Sequence, residues 1–189
     1  MHIDPRLRVA WERFIGLVPI FAVLAAIAVW VLSALLLEPL PGPIPIHFDT
    51  AGNPNGSGPW WILAALGTGL LLAMAGAVAL TRRLARTSPQ WINLPAKAAF
   101  VALPADARLR IVGRVGQLLI GFALILNLVL LTLVRDTYRI AQRELATLPL
   151  WKLGLLVGLA VVWVVVGILR VRNAIRSETA SAASAASAA

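Results

Sequence analysis

Four long runs of apolar residues divide this chain, and each is separated from the next by a segment carrying its charge, proline or glycine. A hydrocarbon core of about 30 Å takes about 20 helical residues at 1.5 Å rise, which sets the length that counts. Residues 14–37 contain no charge in 24 positions, and 61–80 contain none in 20. Residues 115–134 form another run of 20, broken only by Gln117, Asn127 and Thr132, polar groups that a helix can satisfy against a neighbour. The last run, 153–169, has 17 residues, so its helix is expected to begin at 150 and let Lys152 snorkel toward the headgroups. The pattern predicts an all-α integral membrane protein with four transmembrane helices packed as a compact bundle.

Composition agrees with this reading. Of 189 residues 60% are hydrophobic and only 13% charged, against about a quarter charged in a soluble domain. The formal net charge of +9 would suit a nucleic-acid partner only if the basic residues shared one soluble face; here they lie between apolar runs, and no nucleic acid is expected. Their placement reports orientation instead. Arg6, Arg8 and Arg13 precede the first run, and Arg82, Arg83, Arg86, Lys97, Arg108, Arg110 and Arg114 fill the segment 81–114. With Arg170, Arg172 and Arg176 after the last run, thirteen of the 17 basic residues fall on one side. Segment 38–60 has none, and 135–152 has Arg135, Arg139, Arg143 and Lys152. By the positive-inside rule both termini are expected in the cytoplasm. The first run exceeds the 7–15 apolar residues of a cleaved signal, so a signal anchor is expected there.

The expected order is therefore a cytoplasmic segment 1–13, a span 14–37, an external loop 38–60, a span 61–80 and a basic cytoplasmic loop 81–114. A span 115–134, an external loop 135–149 whose alternating charged and apolar positions are expected to extend the third helix, a span 150–169 and a cytoplasmic tail 170–189 follow, the tail ending from 181 in repeats of Ser-Ala-Ala that cannot bury a core. Small residues suggest how the spans meet: Ala65, Gly69, Ala73 and Ala77 recur every fourth position on the second, and Gly154 and Gly158 on the fourth. Asn127 is expected to hydrogen-bond across a helix interface.

The external loop, EPLPGPIPIHFDTAGNPNGSGPW, is too rich in proline and glycine for a helix. Ile44, Ile46 and Phe48 alternate with Pro45, His47 and Asp49, which predicts a short extended piece with His47 and Asp49 on one side. Gly52 and the pair Asn55-Gly56 can adopt positive φ and predict a tight reversal. In 81–114, Trp91, Ile92, Leu94, Phe100, Val101 and Leu103 among arginines predict a segment lying along the headgroups, and Pro104 predicts a helix start.

Chemistry is scarce. There is no cysteine, which removes disulfides, thiolate metal sites and a cysteine nucleophile. His47 and Asp49 could form a pH-sensitive pair, but two ligands do not close a metal centre and no HExxH cluster supplies more. No nucleophile elbow, P-loop or dinucleotide glycine pattern occurs. No ionisable group lies within the four runs, where a carrier would need one. No enzyme activity, metal or cofactor is expected.

Two motifs carry a family resemblance. Pro41, Ile44, Pro45, His47, Phe48, Gly52, Gly56 and Gly58 resemble the Pro-x-x-Ile-Pro-x-His-Phe signature, with its spaced glycines, of a membrane domain of unknown function that forms the N-terminal part of Sdp-type immunity proteins; Asp49 stands where that family commonly has asparagine. Asn93-Leu94-Pro95-Ala96-Lys97, with Phe100 shortly after, is similar to the family's Asn-x-Pro-x-Lys segment. The longer immunity proteins carry further spans and a C-terminal domain, so toxin immunity does not transfer by itself. The resemblance implies a bacterial inner-membrane module in which His47, Phe48, Asp49, Gly52 and Gly56 outside, and Asn93, Pro95 and Lys97 inside, meet a peptide ligand, a membrane-protein partner or lipid. A structural or accessory subunit of a larger membrane complex is the alternative, with a small transporter or membrane enzyme behind it.

Overall fold

The structure, a computed structural model, describes residues 5–40 and 44–187, with side chains from 17 onward apart from 185 and 186. The N-terminal segment expected at 1–13, Pro41 of the first motif and the last two residues of the tail lie wholly or partly outside this description.

Helix α1 (Pro5–Leu32) continues through a π-helical turn, Ser33–Leu37. Strands β1 (Ile44–Phe48) and β2 (Pro54–Gly58) form an antiparallel hairpin. Helix α2 (Ile62–Thr87) is followed by a short 3-10 turn at Pro89–Trp91, the small helix α3 (Lys97–Ala102), the 37-residue α4 (Ala105–Ala141) and the 38-residue α5 (Leu150–Ser187). The architecture is thus helical with one β-hairpin. Four helices are long and apolar enough to cross a membrane, over Leu17–Leu37, Ile62–Thr87, Ala105–Ala141 and Leu150–Ser184, which makes this a multi-pass membrane protein.

The apolar runs mark the middles of longer helices. Pro104 precedes α4 as expected, because proline's fixed φ and missing N–H suit a helix entrance. At its far end α4 runs past the apolar stretch to Ala141, and Arg143, at φ 61°, follows the turn that ends it.

Two buried clusters fix the up-and-down order. Val29, Leu37, Ile44, Leu63, Ala64 and Val134 join the end of α1, the hairpin, the start of α2 and the end of the apolar part of α4. Ala85, Ile92, Phe100, Ala107, Ile111, Val171 and Ile175 join the opposite ends of α2, α4 and α5 with α3 and the turn before it. The segment 81–114 turns much of its apolar side inward against the helices. Ile92, Phe100 and Leu103 are buried in this basic-end core, and of the expected apolar anchors only Trp91, 75% accessible, projects fully. The reason is partnership: α4 and α5 both overhang the apolar runs and offer a packed surface that lipid cannot.

The four helices do not contribute equally. Helix α4 touches α1, α2 and α5 in turn, and α1 also packs on α2. Only 6% of the apolar window of α5 is buried, against 33% for α1, so the expected compact bundle is a three-helix unit with α5 laid against α4.

The small residues that permit close approach also differ from those expected. Nothing lies within 4 Å of a Cβ placed on Gly69, Gly154 or Gly158, and Ala73 is exposed; Ala65 and Ala77 are half-buried. The seats are elsewhere. Gly67 lies under Asn127, Gly116 under Val78, Gly121 under the Trp163 indole and Gly167 under Leu118. Trp163 Nε1–H also donates to the Leu118 carbonyl at 3.0 Å, pinning α5 to α4. Spacing of four identifies a flat stripe but not whether a helix or lipid faces it. Asn127 is buried between α4 and α2, donating from Nδ2 to the carbonyls of Ala123 at 2.9 Å and Gly67 at 3.4 Å.

Candidate functional site

The hairpin is the polar feature that the bundle holds most deliberately. Isoleucine at 44 and 46 and phenylalanine at 48 favour an extended chain, and Ile44, 3% accessible, anchors β1 in the cluster between α1, α2 and α4. The Pro45 carbonyl accepts from Thr137 Oγ1 of α4 at 3.5 Å. β1 therefore lies between α4 and β2.

The reversal is built by Asp49, not by Asn55-Gly56. Asp49 Oδ1 accepts from the backbone N–H of Ala51 at 2.9 Å and of Asn53 at 2.8 Å, while Asn53 Nδ2 donates to Oδ2 at 3.1 Å. This is the Asx turn that aspartate forms readily, and it closes the loop before Asn55 is reached. The Asn53 side chain, then the backbone N–H groups of Asn53, Ala51 and Gly52, hold the Asp49 carboxyl below its usual 3.8. Asn55 and Gly56 consequently sit on β2, paired with β1, with Gly56 opposite His47.

The same geometry separates His47 from Asp49. Asp49 lies beyond the end of β1, whereas His47 Nδ1–H donates to Asn55 Oδ1 across the strands and its ring stays exposed. The expected pairing of the two side chains is replaced by two separate contacts. Phe48 is half-buried beside them.

The motif glycines have steric reasons. A Cβ on Gly56 would lie 2.9 Å from the Cβ of His47, and one on Gly58 would press on the Ile46 side chain. Gly52, at φ +83°, is buried, and its carbonyl accepts the Leu148 N–H at 2.8 Å. The hairpin tip is thereby fastened to the loop between α4 and α5.

Beneath that contact is a pair that the sequence reading missed. Lys152 Nζ donates to both carboxylate oxygens of Asp136 at 2.9 Å, and the Asp136 side chain is 3% accessible. Lys152 does not snorkel; it ties the first turn of α5 to the last turns of α4. Opposite charges flanking a short connection between two apolar runs were the available signal. At the basic end, Arg110 makes a two-pronged ion pair with Glu178, Nε to Oε1 at 2.9 Å and Nη2 to Oε2 at 2.6 Å, joining α4 to α5 again.

The second motif lies at that basic end. Asn93 and Lys97 are exposed and Pro95 is half-buried; neither polar side chain bonds a described residue. Ala96, at φ 57°, turns the chain into α3, and the Phe100 N–H bonds its carbonyl at 3.1 Å while the phenyl ring fills the core. With α4 about 55 Å long at 1.5 Å per residue, the two motifs stand at opposite ends and share no site. Among the described residues no group of three His, Asp or Glu side chains could hold a metal.

Residues 24–78 match the family described as "Domain of unknown function (DUF1648)", a stretch running from mid-α1 through the hairpin into α2. The Asn93–Lys97 segment, α4 and α5 lie outside it. No curated protein and no solved structure matches the chain.

Proposed function

We propose that the chain is a non-enzymatic protein of the bacterial inner membrane that displays its hairpin on the external face as a recognition element, similar in role to the membrane module of Sdp-type immunity and signalling proteins. Both termini and the arginine-rich end then face the cytoplasm, the orientation favoured by thirteen of 17 basic residues. One observation carries the reading. The hairpin is held at Ile44, Pro45 and Gly52 by α4 and the α4–α5 loop while His47 points outward. A loop serving only to join two spans needs no such fastening, whereas a preorganised loop loses less entropy on binding. The ligand class is a peptide or an external segment of a membrane-protein partner. At the other end Asn93, Pro95 and Lys97 present a basic contact for lipid phosphates or a cytoplasmic protein.

The test is isolation in native lipid discs of the original chain and the His47→Ala variant. His47 is exposed and the variant loses one cross-strand hydrogen bond to Asn55, so its folding is checked by thermal unfolding alongside an Asn55→Ala variant that loses the same bond but keeps the imidazole. The expected result is a peptide or protein associated with the original chain and at least tenfold less of it with His47→Ala. Equal recovery in both would end the proposal that the hairpin face binds.

A second reading has its own observation. Gly69, Gly154 and Gly158 are bare to their surroundings, which suits helices of other subunits as well as lipid. A fixed-stoichiometry complex by native mass measurement, unaffected by His47→Ala but lost on Gly154→Leu, would select an accessory subunit instead.

A further inference from the structure

The free side of the hairpin leads into a cleft. β1 is enclosed between α4 and β2, but β2 has a strand partner on one side only, so its outer edge meets no backbone partner among the described residues. Most of β2 is exposed, and Gly56 and Gly58 leave part of that edge without side chains that could shield it. Native edges are commonly blunted by lysine, proline, a bulge or a covering helix; Pro54 and the register shifts blunt the start of β2, while Asn55 to Gly58 carries no lysine or further proline.

At the end of β2, Gly58, Pro59 and Trp60 form one wall of a cleft of about 280 Å³ floored by Leu37 and Ile44, with Glu38 at its rim. That is below the roughly 300–1,000 Å³ of pockets that enclose drug-sized molecules, and it suits a single apolar side chain. Trp60 is braced edge-on by Trp30, with ring centroids 6.2 Å apart. The Glu38 carboxylate has no hydrogen-bond or ionic partner among the described residues. From 38 to 60 the chain carries Glu38 and Asp49 and no lysine or arginine, in a protein of net charge +9. Asp49 is committed to its turn. Glu38 is therefore the acidic group left to meet a ligand there, beside an indole that also favours a cation.

We propose that the outer edge of β2 and the cleft at its end dock an extended peptide segment, which adds as a third strand, inserts one apolar side chain between Leu37, Ile44 and Trp60, and sets a neighbouring lysine or arginine against Glu38. This rests on the reading of the hairpin as a recognition element and names its ligand chemistry. Backbone pairing supplies sequence-independent binding, while the cleft and the carboxylate supply selectivity, as in other strand-addition sites. His47 and Asn55, joined across the strands, stiffen the added-to sheet.

The probe is the blocked synthetic peptide Thr-Val-Thr-Leu-Lys-Thr-Val, titrated by calorimetry into the full chain in phosphatidylcholine discs, with empty discs subtracted. Saturable one-to-one binding is expected. It should vanish when alternate peptide amides are N-methylated, and weaken roughly fivefold with Glu38→Gln, the scale of one partly exposed ion pair. Changing the peptide lysine to glutamate should abolish it. Glu38 is exposed, so Glu38→Gln folds normally, and the N-methylated peptide leaves the protein untouched. No saturable binding, or binding indifferent to both N-methylation and Glu38→Gln, overturns the inference. So does Glu38-dependent competition by phosphatidylethanolamine added to the discs, which would assign the cleft to an amine headgroup. A native partner lost on His47→Ala but indifferent to Glu38→Gln would remove this site and leave the recognition reading standing; a partner indifferent to both would remove the reading itself.

Discussion

Replacing Lys152 with methionine should destabilise the protein by about 3 kcal/mol, the lower end of the cost of breaking a buried ion pair by removing one partner. Asp136 is 3% accessible at its side chain and receives both of its 2.9 Å hydrogen bonds from the lysine, so the variant strands a carboxylate between α4 and α5. The lower end applies because Lys152 itself keeps 26% of its side chain accessible, and surroundings that reach the pair can partly relieve the loss. Methionine retains most of the apolar stem, which isolates the charge from the packing. The double variant Asp136→Asn with Lys152→Met should be closer to the original protein than Lys152→Met alone, since no unpaired charge remains. Equilibrium unfolding in mixed micelles of the original, Lys152→Met, Asp136→Asn and the double variant closes the cycle. Additive losses would mean that the two side chains act independently, contrary to their geometry.

Gly52→Ala should cost about 2–4 kcal/mol and act on the hairpin rather than the spans. Positive φ penalises an L side chain by about 1–2 kcal/mol. The added Cβ would also stand 2.6 Å from the Leu148 carbonyl oxygen, a backbone atom that cannot rotate away. The turn must shift, weakening the 2.8 Å bond from the Leu148 N–H, with a further loss of about 1 kcal/mol. Hydrogen exchange at the Leu148 amide should accelerate while amides at mid-α4 remain protected. Gly69→Ala is the matched control: nothing lies within 4 Å of its Cβ, and alanine in a helix should be neutral or stabilising by up to about 1 kcal/mol.

These two sites show where sequence was informative. Uninterrupted apolar length has one physical meaning in a chain of this kind, so the four spans were legible, and Pro104 marked the entrance to α4. Helix ends were less so. Residues 170–187 are polar enough to read as a tail, yet Val171 and Ile175 give them an apolar face that finds a partner only in three dimensions. Neighbours were hidden for the same reason. A glycine stripe looks alike against lipid and helix, so Gly154 and Gly158 suggested packing that Gly121 and Gly167 perform.

The hairpin was half legible. Alternation at Ile44, Ile46 and Phe48 located β1, and Gly52 was recognised as a turn position. Asn55-Gly56 suggested the reversal, but Asp49 closes it earlier with its own carboxylate, and that shift moves His47 toward Asn55. The fastening through Leu148 joins positions 96 residues apart in sequence, about which local pattern says nothing.

The central claim is that a clamped hairpin is displayed on the membrane face opposite the arginine-rich ends. The chain has no cysteine, so a single introduced thiol reports one position without background. Asn53→Cys at the hairpin tip and Ser177→Cys on α5 should be tested in intact cells with a maleimide that cannot cross the membrane. Labelling of Asn53→Cys in intact cells, with Ser177→Cys labelled only after permeabilisation, is the expected result. Labelling of Ser177→Cys from outside while Asn53→Cys is protected would invert the topology and contradict the account.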